Sequence, residues 1–261
     1  MRAAVSKTEI ESEITSRFGS AFKLHEKRPA EVISTGLGEV DSFIGGGLPR
    51  GSITEVFGPA SSGRTSFMLS ALAHATERQE VCALVDTNNA FDPKSASQAE
   101  INFARLLWIR CANHLEHAFK STDLLLQGGG FGLIVLDLGD VAAKDARRVI
   151  SSWWYRFRRT VENTPTALVV IAAGSCVRSC AAMTLELRRE LDVWSSAITV
   201  MGQADRHQSD MPVILKASKF SVVRQRPIGL RPAEFWVYAH TNLKEQILQQ
   251  EKSLRLAKNF E

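Results

Sequence analysis

The chain predicts an α/β fold, a mostly parallel twisted sheet covered by helices on both faces, with antiparallel strands at one edge. Three observations lead there. Apolar runs of four to eight residues recur along the chain, each apolar throughout, as strands buried on both faces are. Helical stretches separate these runs, the alternation of a helix-covered sheet. One run also feeds a helix through a glycine-bearing turn of the phosphate-binding kind. With 261 residues, 44% of them hydrophobic and 23% charged, the chain can bury a sizeable core. Disordered, collagen-like and disulfide-held classes are excluded.

Residues 1–31 are polar and mixed in charge, with Ile10, Ile14 and Phe18 on one face of a short helix, and read as an N-terminal arm. The core is expected over 32–240. A glycine turn (Gly45, Gly46, Gly47 and Gly51) leads into the β-branched run SITEVFG, and Phe67, Met68, Leu72 and Ala75 then mark a helix. Further strands are expected at VCALVD (81–86), LLWIR (106–110), GLIVLD (132–137), TALVVIAA (166–173) and AITV (197–200), with helices at 113–127 and 142–161. VILKAS and EFWVYA flank a basic loop and read as the antiparallel pair at the sheet edge. Residues 241–261 read as an amphipathic C-terminal helix.

The turn is Gly58, Pro59, Ala60, Ser61, Ser62, Gly63, Arg64, Thr65 and Ser66. Successive N–H groups at a helix start form a concave anion site, and glycines let phosphates approach the backbone. The template wants Lys where Arg64 stands. A compact ammonium acts as a point charge between phosphates, whereas a planar guanidinium is larger and directs its donors as a fork. Three readings stay open: an empty scaffold turn, a nucleotide site without turnover, and a hydrolysing site.

The net charge of +4 is unevenly placed. Residues 144–159 hold Lys144, Arg147, Arg148, Arg156, Arg158 and Arg159 against Asp145 alone, and residues 216–231 hold Lys216, Lys219, Arg224, Arg226 and Arg231 with no acid. The rest of the chain is acidic. Two basic segments on an acidic body suggest contact with an anionic partner, nucleic acid first, or else two solvated faces. On a helix over 142–161, Val149, Ile150, Trp153 and Phe157 would pack on the sheet, with Trp154 and Tyr155 to the side. Arg178, Arg188 and Arg189 are balanced by Glu186 and Glu190, so no nucleic-acid contact is assigned to 175–189.

Cys176 and Cys180 have no second pair, and His114 and His117 have no acidic or thiol partner close in sequence, so no metal site is assigned. Four scattered cysteines (Cys82 and Cys111 the others), an opening MRAAVSKTEIESE without an apolar signal region, and no stretch near the roughly 20 apolar residues of a membrane span lead to the expectation of a soluble cytoplasmic protein.

The segments STGLGEVDSFIGGGLPRGSITEVFGPASSGRTS, VDTNNAFDP (85–93) and LIVLD (133–137) resemble, in register, the core of the RecA recombinase superfamily. The resemblance spans about 32–240 and implies a RecA-like P-loop core with ATP and Mg²⁺ as cofactors. Asp137 matches the Walker B aspartate, which holds Mg²⁺ through water while Thr65 supplies a hydroxyl. Three elements depart from the pattern. Arg64 replaces the loop lysine, and Asn88 stands where the family has its catalytic glutamate, an amide that cannot serve as a base. Ala173 and Gly174 replace the Asn-Gln pair that senses the γ-phosphate. No catalytic residue is therefore assigned.

A short RecA-like chain with an abbreviated region after the Walker B strand is similar to the ImuA family. That resemblance implies a non-recombinase accessory role in damage-inducible translesion synthesis and the SOS response. Its implied partners are an ImuB-like Y-family polymerase homologue and an error-prone replicative polymerase, with RecA, a second copy of the chain or single-stranded DNA as further partners. A DNA-dependent ATPase or recombinase and a SulA-like cell division inhibitor are the alternatives.

Overall fold

A computed structural model describes Ser16 and residues 31–194, 215–228 and 231–238. Apart from Ser16, the N-terminal arm up to residue 30, with the strand expected at 197–200 and the C-terminal helix, lies outside the described residues.

A small antiparallel ribbon comes first, β1 (Val32–Ile33) against β2 (Leu48–Pro49), with helix α1 (Gly38–Ile44) between them. The main sheet has eight strands: β3 (Ser52–Phe57), β4 (Cys82–Asp86), β5 (Leu106–Arg110), β6 (Leu133–Leu138), β7 (Ala167–Ala172), β8 (Met183–Trp194), β9 (Leu215–Arg226) and β10 (Ala233–Tyr238). Their order is β10-β9-β8-β3-β7-β6-β4-β5. The six from β8 to β5 run parallel, and β9 is antiparallel to both β8 and β10. This is the expected fold class, with the antiparallel strands at one edge as the sequence indicates.

Alternation along the strands explains the two layers. Val56, Leu84, Val135, Val169 and Ile171 face helix α2 (Arg64–Glu77), which contributes Phe67, Met68, Leu72 and Ala75. Ile53, Ala83, Val85, Ile134, Leu136, Leu168 and Val170 face the other way, onto helices α4 (Leu115–Gly128) and α6 (Ser151–Val161). A short helix, α3 (Pro93–Gln98), lies between β4 and β5 in sequence, and its start is capped by Asp92, which accepts from the N–H groups of Lys94 and Ser95.

Two expectations are corrected. The helix over 142–161 is two helices, α5 (Ala143–Arg148) and α6, because Val149 and Ile150 are extended, with ψ 128° at both. The break resets the helical phase. Ile150 is 70% exposed, while Trp154, Phe157 and Val161 form the buried stripe; Phe119 of α4 meets Trp154 edge-on and stacks on Phe157. The segment between VILKAS and EFWVYA, read as a basic loop, is strand as far as Arg226, because it continues β9 against β8; residues 175–189, to which the sequence gives no element, hold a 3₁₀ turn at Arg178–Cys180 and then the first half of β8.

Candidate functional site

The turn 58–66 joins β3 to α2 at the carboxyl end of the parallel strands, where ligands of open α/β sheets sit. Its shape needs left-handed backbone at Ser61 (φ 61°) and Gly63 (φ 90°). Gly63 is the N-cap of α2 and no side chain caps it, so the first-turn N–H groups have no protein acceptor from a cap and suit an anion. Pro59, Ala60, Ser61 and Thr65 are exposed, whereas Gly58, Ser62, Gly63 and Arg64 are buried. The Ser62 hydroxyl is buried with no hydrogen-bond partner. The turn borders a cleft of about 290 Å³ whose far wall is Arg189 of β8 with Leu215, Ala217, Ser218 and Phe220 of β9. Arg189 is held in place there by Asp192 (2.7 Å) and Ser218 Oγ (3.3 Å).

Arg64 does not extend along the turn. Its Nη1 donates to the carbonyl of Gly139, just beyond β6, at 3.1 Å. A β-carbon at Gly139 would lie 2.9 Å from Asp137 Oδ1 and 3.6 Å from Arg64 Nη1, so this guanidinium and carboxylate both crowd the glycine. Burial lowers the Arg64 pKa, while the charges of Asp137 and Asp140 raise it; arginine stays cationic throughout. Asp137 accepts from the Gly139 N–H at 2.8 Å. Burial pushes its pKa up to about 6; that hydrogen bond and Arg64 oppose the rise, while Asp86 and Asp140 add to it.

That shift has a testable sign. Between the ordinary aspartate pKa of 3.8 and about 6, the folded chain holds a proton that the unfolded chain has released. Ionisation of Asp137 therefore removes stability as pH rises through this window, and above it the loss is complete. We expect Asp137→Asn to melt higher than wild type at pH 7.5, by an amount worth about 1–3 kcal/mol, and the gap to close by about pH 4. Thermal melts across that range check it, and a gap independent of pH would contradict it.

Asn88 follows closely on β4, at the position where the RecA resemblance implies a catalytic glutamate. Asn88 Nδ2 donates to Asn113 Oδ1 at 2.8 Å, and its own Oδ1 is buried without a partner. Asp86 is fully engaged: it accepts from the N–H groups of Ala90 (3.0 Å) and Phe91 (3.1 Å) and from Trp108 Nε1 (3.2 Å), which shapes the turn 86–91.

The two basic segments meet through a residue to which the sequence assigns no contact. Arg226 donates to the Arg178 carbonyl at 3.0 Å, Arg178 donates to the Arg147 carbonyl at 3.1 Å, and Arg147 Nε reaches the Ser175 carbonyl at 3.5 Å. All three arginines are exposed, and Arg178 has a positive φ of 59°. Buried Glu55 of β3 anchors the turn they share, accepting from Ser175 Oγ (2.8 Å) and from the N–H groups of Cys176 (2.5 Å) and Val177 (2.8 Å). Other cations from the two segments lie elsewhere. Arg156 pairs with Asp123 of α4 through both guanidinium arms. Lys219 pairs with Glu234 at 2.6 Å. Arg224 lies over the Phe43 ring, 5.3 Å from its centre. Arg148 pairs loosely with Asp145 at 3.6 Å. Lys144, Arg158, Arg159 and Arg231 are exposed and Lys216 half-buried.

Because Asp123 is nearly buried, Arg156→Ala leaves its carboxylate short of a partner, and Gln127 Nε2 at 2.6 Å is the donor that remains. We expect a stability loss of about 1–2 kcal/mol in urea denaturation, with nucleic-acid affinity unchanged. A loss of affinity at unchanged stability would give Arg156 a contact role instead.

The family model for the RecA N-terminal domain matches residues 4–151. The chain belongs to the RecA family. Protein RecA of Ectopseudomonas oleovorans is 34% identical over 179 residues, which is 61% of this chain and 51% of that protein. Protein RecA of Leifsonia xyli subsp. xyli is 29% identical over 205 residues, 66% of this chain and 57% of the relative. Protein RecA of Nitrobacter winogradskyi is 38% identical over 132 residues, 48% and 36% of the two chains. The chain thus spans about half the length of the first of these curated RecA relatives.

The RecA resemblance implies a divalent cation between Thr65 and Asp137, and this arrangement does not suit one. Asp137 Oδ1 is bound by the Gly139 N–H, and the Arg64 guanidinium bonds the carbonyl of the same glycine, which sets a fixed cation beside this carboxylate. Among the described residues no cluster of three metal-ligating side chains occurs, and no helix is long and apolar enough to cross a membrane.

Proposed function

We propose that this RecA-family chain keeps the nucleotide cradle without the hydrolytic machinery and works as an accessory protein through contact. A nucleoside triphosphate binds the turn 58–66, the first-turn N–H groups of α2 receive its phosphates, and turnover is absent. The observation that carries this reading is Asn88, tied to Asn113 where a catalytic glutamate would stand. An amide so placed takes no proton from an attacking water. Arg64, turned onto Gly139, adds to it, because its charge is directed away from the phosphates.

In this proposal the Arg147, Arg178 and Arg226 cluster contacts the phosphate backbone of single-stranded DNA without reading sequence. The biological setting is damage-inducible translesion synthesis, as the ImuA resemblance implies, in the cytoplasm and beside an ImuB-like polymerase homologue and an error-prone replicative polymerase. The family match itself favours a second reading, a DNA-dependent ATPase. ATP turnover with and without single-stranded DNA separates them: the first reading expects none above background in both cases, and DNA-stimulated hydrolysis abolished by Thr65→Ala would replace it with the second.

The DNA contact has its own test. Arg178→Ala and Arg226→Ala are each expected to weaken binding to single-stranded DNA uniformly across sequences, and to reduce the slope of log affinity against log salt by about 0.7. An unchanged slope in both variants would remove the cluster from the interface.

A further inference from the structure

Arg64 stands where the family's phosphate-contacting lysine would be, yet it is built into the fold as a fixed internal cation. Its guanidinium is buried, its Nη1 is spent on the Gly139 carbonyl at 3.1 Å, and the charges that act on it are those of Asp137 and Asp140. These acids are the ones a divalent cation would need at the end of β6. Asp86, the third carboxylate there, has both oxygens engaged by Ala90, Phe91 and Trp108. Gly139 keeps the arrangement tight, since any side chain at that position would press on Asp137 Oδ1 and approach Arg64 Nη1. A divalent ion placed beside Asp137 would meet a guanidinium that cannot lose its proton and has nowhere else to bond without giving up a buried contact. On the opposite wall of the cleft Arg189 is a second fixed cation, braced by Asp192 and Ser218.

We infer that Arg64 takes over the electrostatic part of the divalent metal, so that this chain binds the polyphosphate of a nucleotide without Mg²⁺. Charge on the phosphates is met by the N–H groups of the turn and by Arg189 across the cleft, while Arg64 sets its fixed charge beside the acids at the end of β6, where the divalent cation would otherwise sit. The inference rests on the nucleotide reading above for its ligand, and its metal half stands apart from it.

Two titrations on the full chain test it. In the first, a fluorescent N-methylanthraniloyl ATP is titrated in excess EDTA and in excess Mg²⁺. Wild type is expected to bind with affinities within about twofold of each other, while Arg64→Lys, whose smaller cation frees Asp137, binds about tenfold tighter with Mg²⁺. Tightening of the wild type by tenfold or more in Mg²⁺ overturns the inference, as does an Arg64→Lys chain indifferent to the metal. In the second, Mn²⁺ alone is titrated and followed by its electron paramagnetic resonance signal. Wild type is expected to leave Mn²⁺ free at concentrations where Arg64→Met binds it, and Arg64→Met with Asp137→Asn loses that binding. Equal Mn²⁺ affinity of wild type and Arg64→Met overturns the inference whatever the nucleotide does. Failure of the ATP analogue to bind in either buffer refutes the nucleotide reading instead, and the Mn²⁺ titration then decides the metal half by itself. Circular dichroism of each variant confirms that it folds.

Discussion

Glu55→Ala is expected to cost about 3–5 kcal/mol of stability. The side chain is fully buried in the middle of β3, and its carboxylate accepts three hydrogen bonds from Ser175, Cys176 and Val177. Alanine removes the acceptor and leaves two buried backbone donors and a hydroxyl with no partner, a cost added to the cavity itself. The anchored turn also carries the Arg178 carbonyl that Arg226 bonds to, so the basic cluster should loosen along with the fold. Urea denaturation measures the first effect and the salt slope of DNA binding the second. Glu55→Gln retains shape and one acceptor oxygen, and should fall between wild type and alanine. A loss under about 1 kcal/mol for the alanine variant would mean that the turn has another anchor.

Gly63→Ala is the second large effect. The residue combines a φ of 90° with a β-carbon position 2.8 Å from two atoms of the Phe220 ring. Left-handed backbone at a non-glycine residue costs about 1 kcal/mol and the overlap a further 1–3 kcal/mol. We expect a stability loss of about 2–4 kcal/mol together with loss of binding by the fluorescent ATP analogue. The two parts can be separated. Phe220→Ala removes the overlap and leaves the backbone strain, so the double variant should be less destabilised than the sum of the singles by at least about 1 kcal/mol. Strict additivity would show that Phe220 does not restrain the turn.

Much of this architecture is legible in the sequence for one reason: the central strands are apolar on both faces. LLWIR is β5 residue for residue, and GLIVLD and TALVVIAA differ from β6 and β7 by one residue at each end. The turn after SITEVFG is readable because glycine is needed at defined points of it. β8 is missed because MTLELRRELDVW has five charged residues between Glu186 and Asp192 and exposed positions from Arg188 to Leu191. Its second half is exposed at successive positions around an irregularity at Glu190, at the step from parallel to antiparallel pairing, and so loses the two-sided apolar signature. The break at Val149 and Ile150 contains neither glycine nor proline, and local propensity does not foresee it. Chain reversals, rather than local pattern, bring the site together. Arg147, Arg178 and Arg226 come from three separated segments, and Asn113 reaches Asn88 from the far side of β5. The direction in which Arg64 points is a tertiary choice that no spacing in the sequence announces.

β9 touches both halves of the proposed function. Its inward Phe220 limits the space at Gly63, and its last residue, Arg226, belongs to the basic cluster. Six residues of extended chain, about 20 Å, separate the two. β8 pairs with β9 along this stretch, with an irregularity at Gln225, and β10 pairs with it as far as Val222, so the stretch is held as strand and not left as a loop. If DNA binds the cluster as proposed, β9 would serve as a push-rod: a pull on Arg226 would change how firmly the phosphate turn is held, and a signal of that kind would require no ATP to be spent.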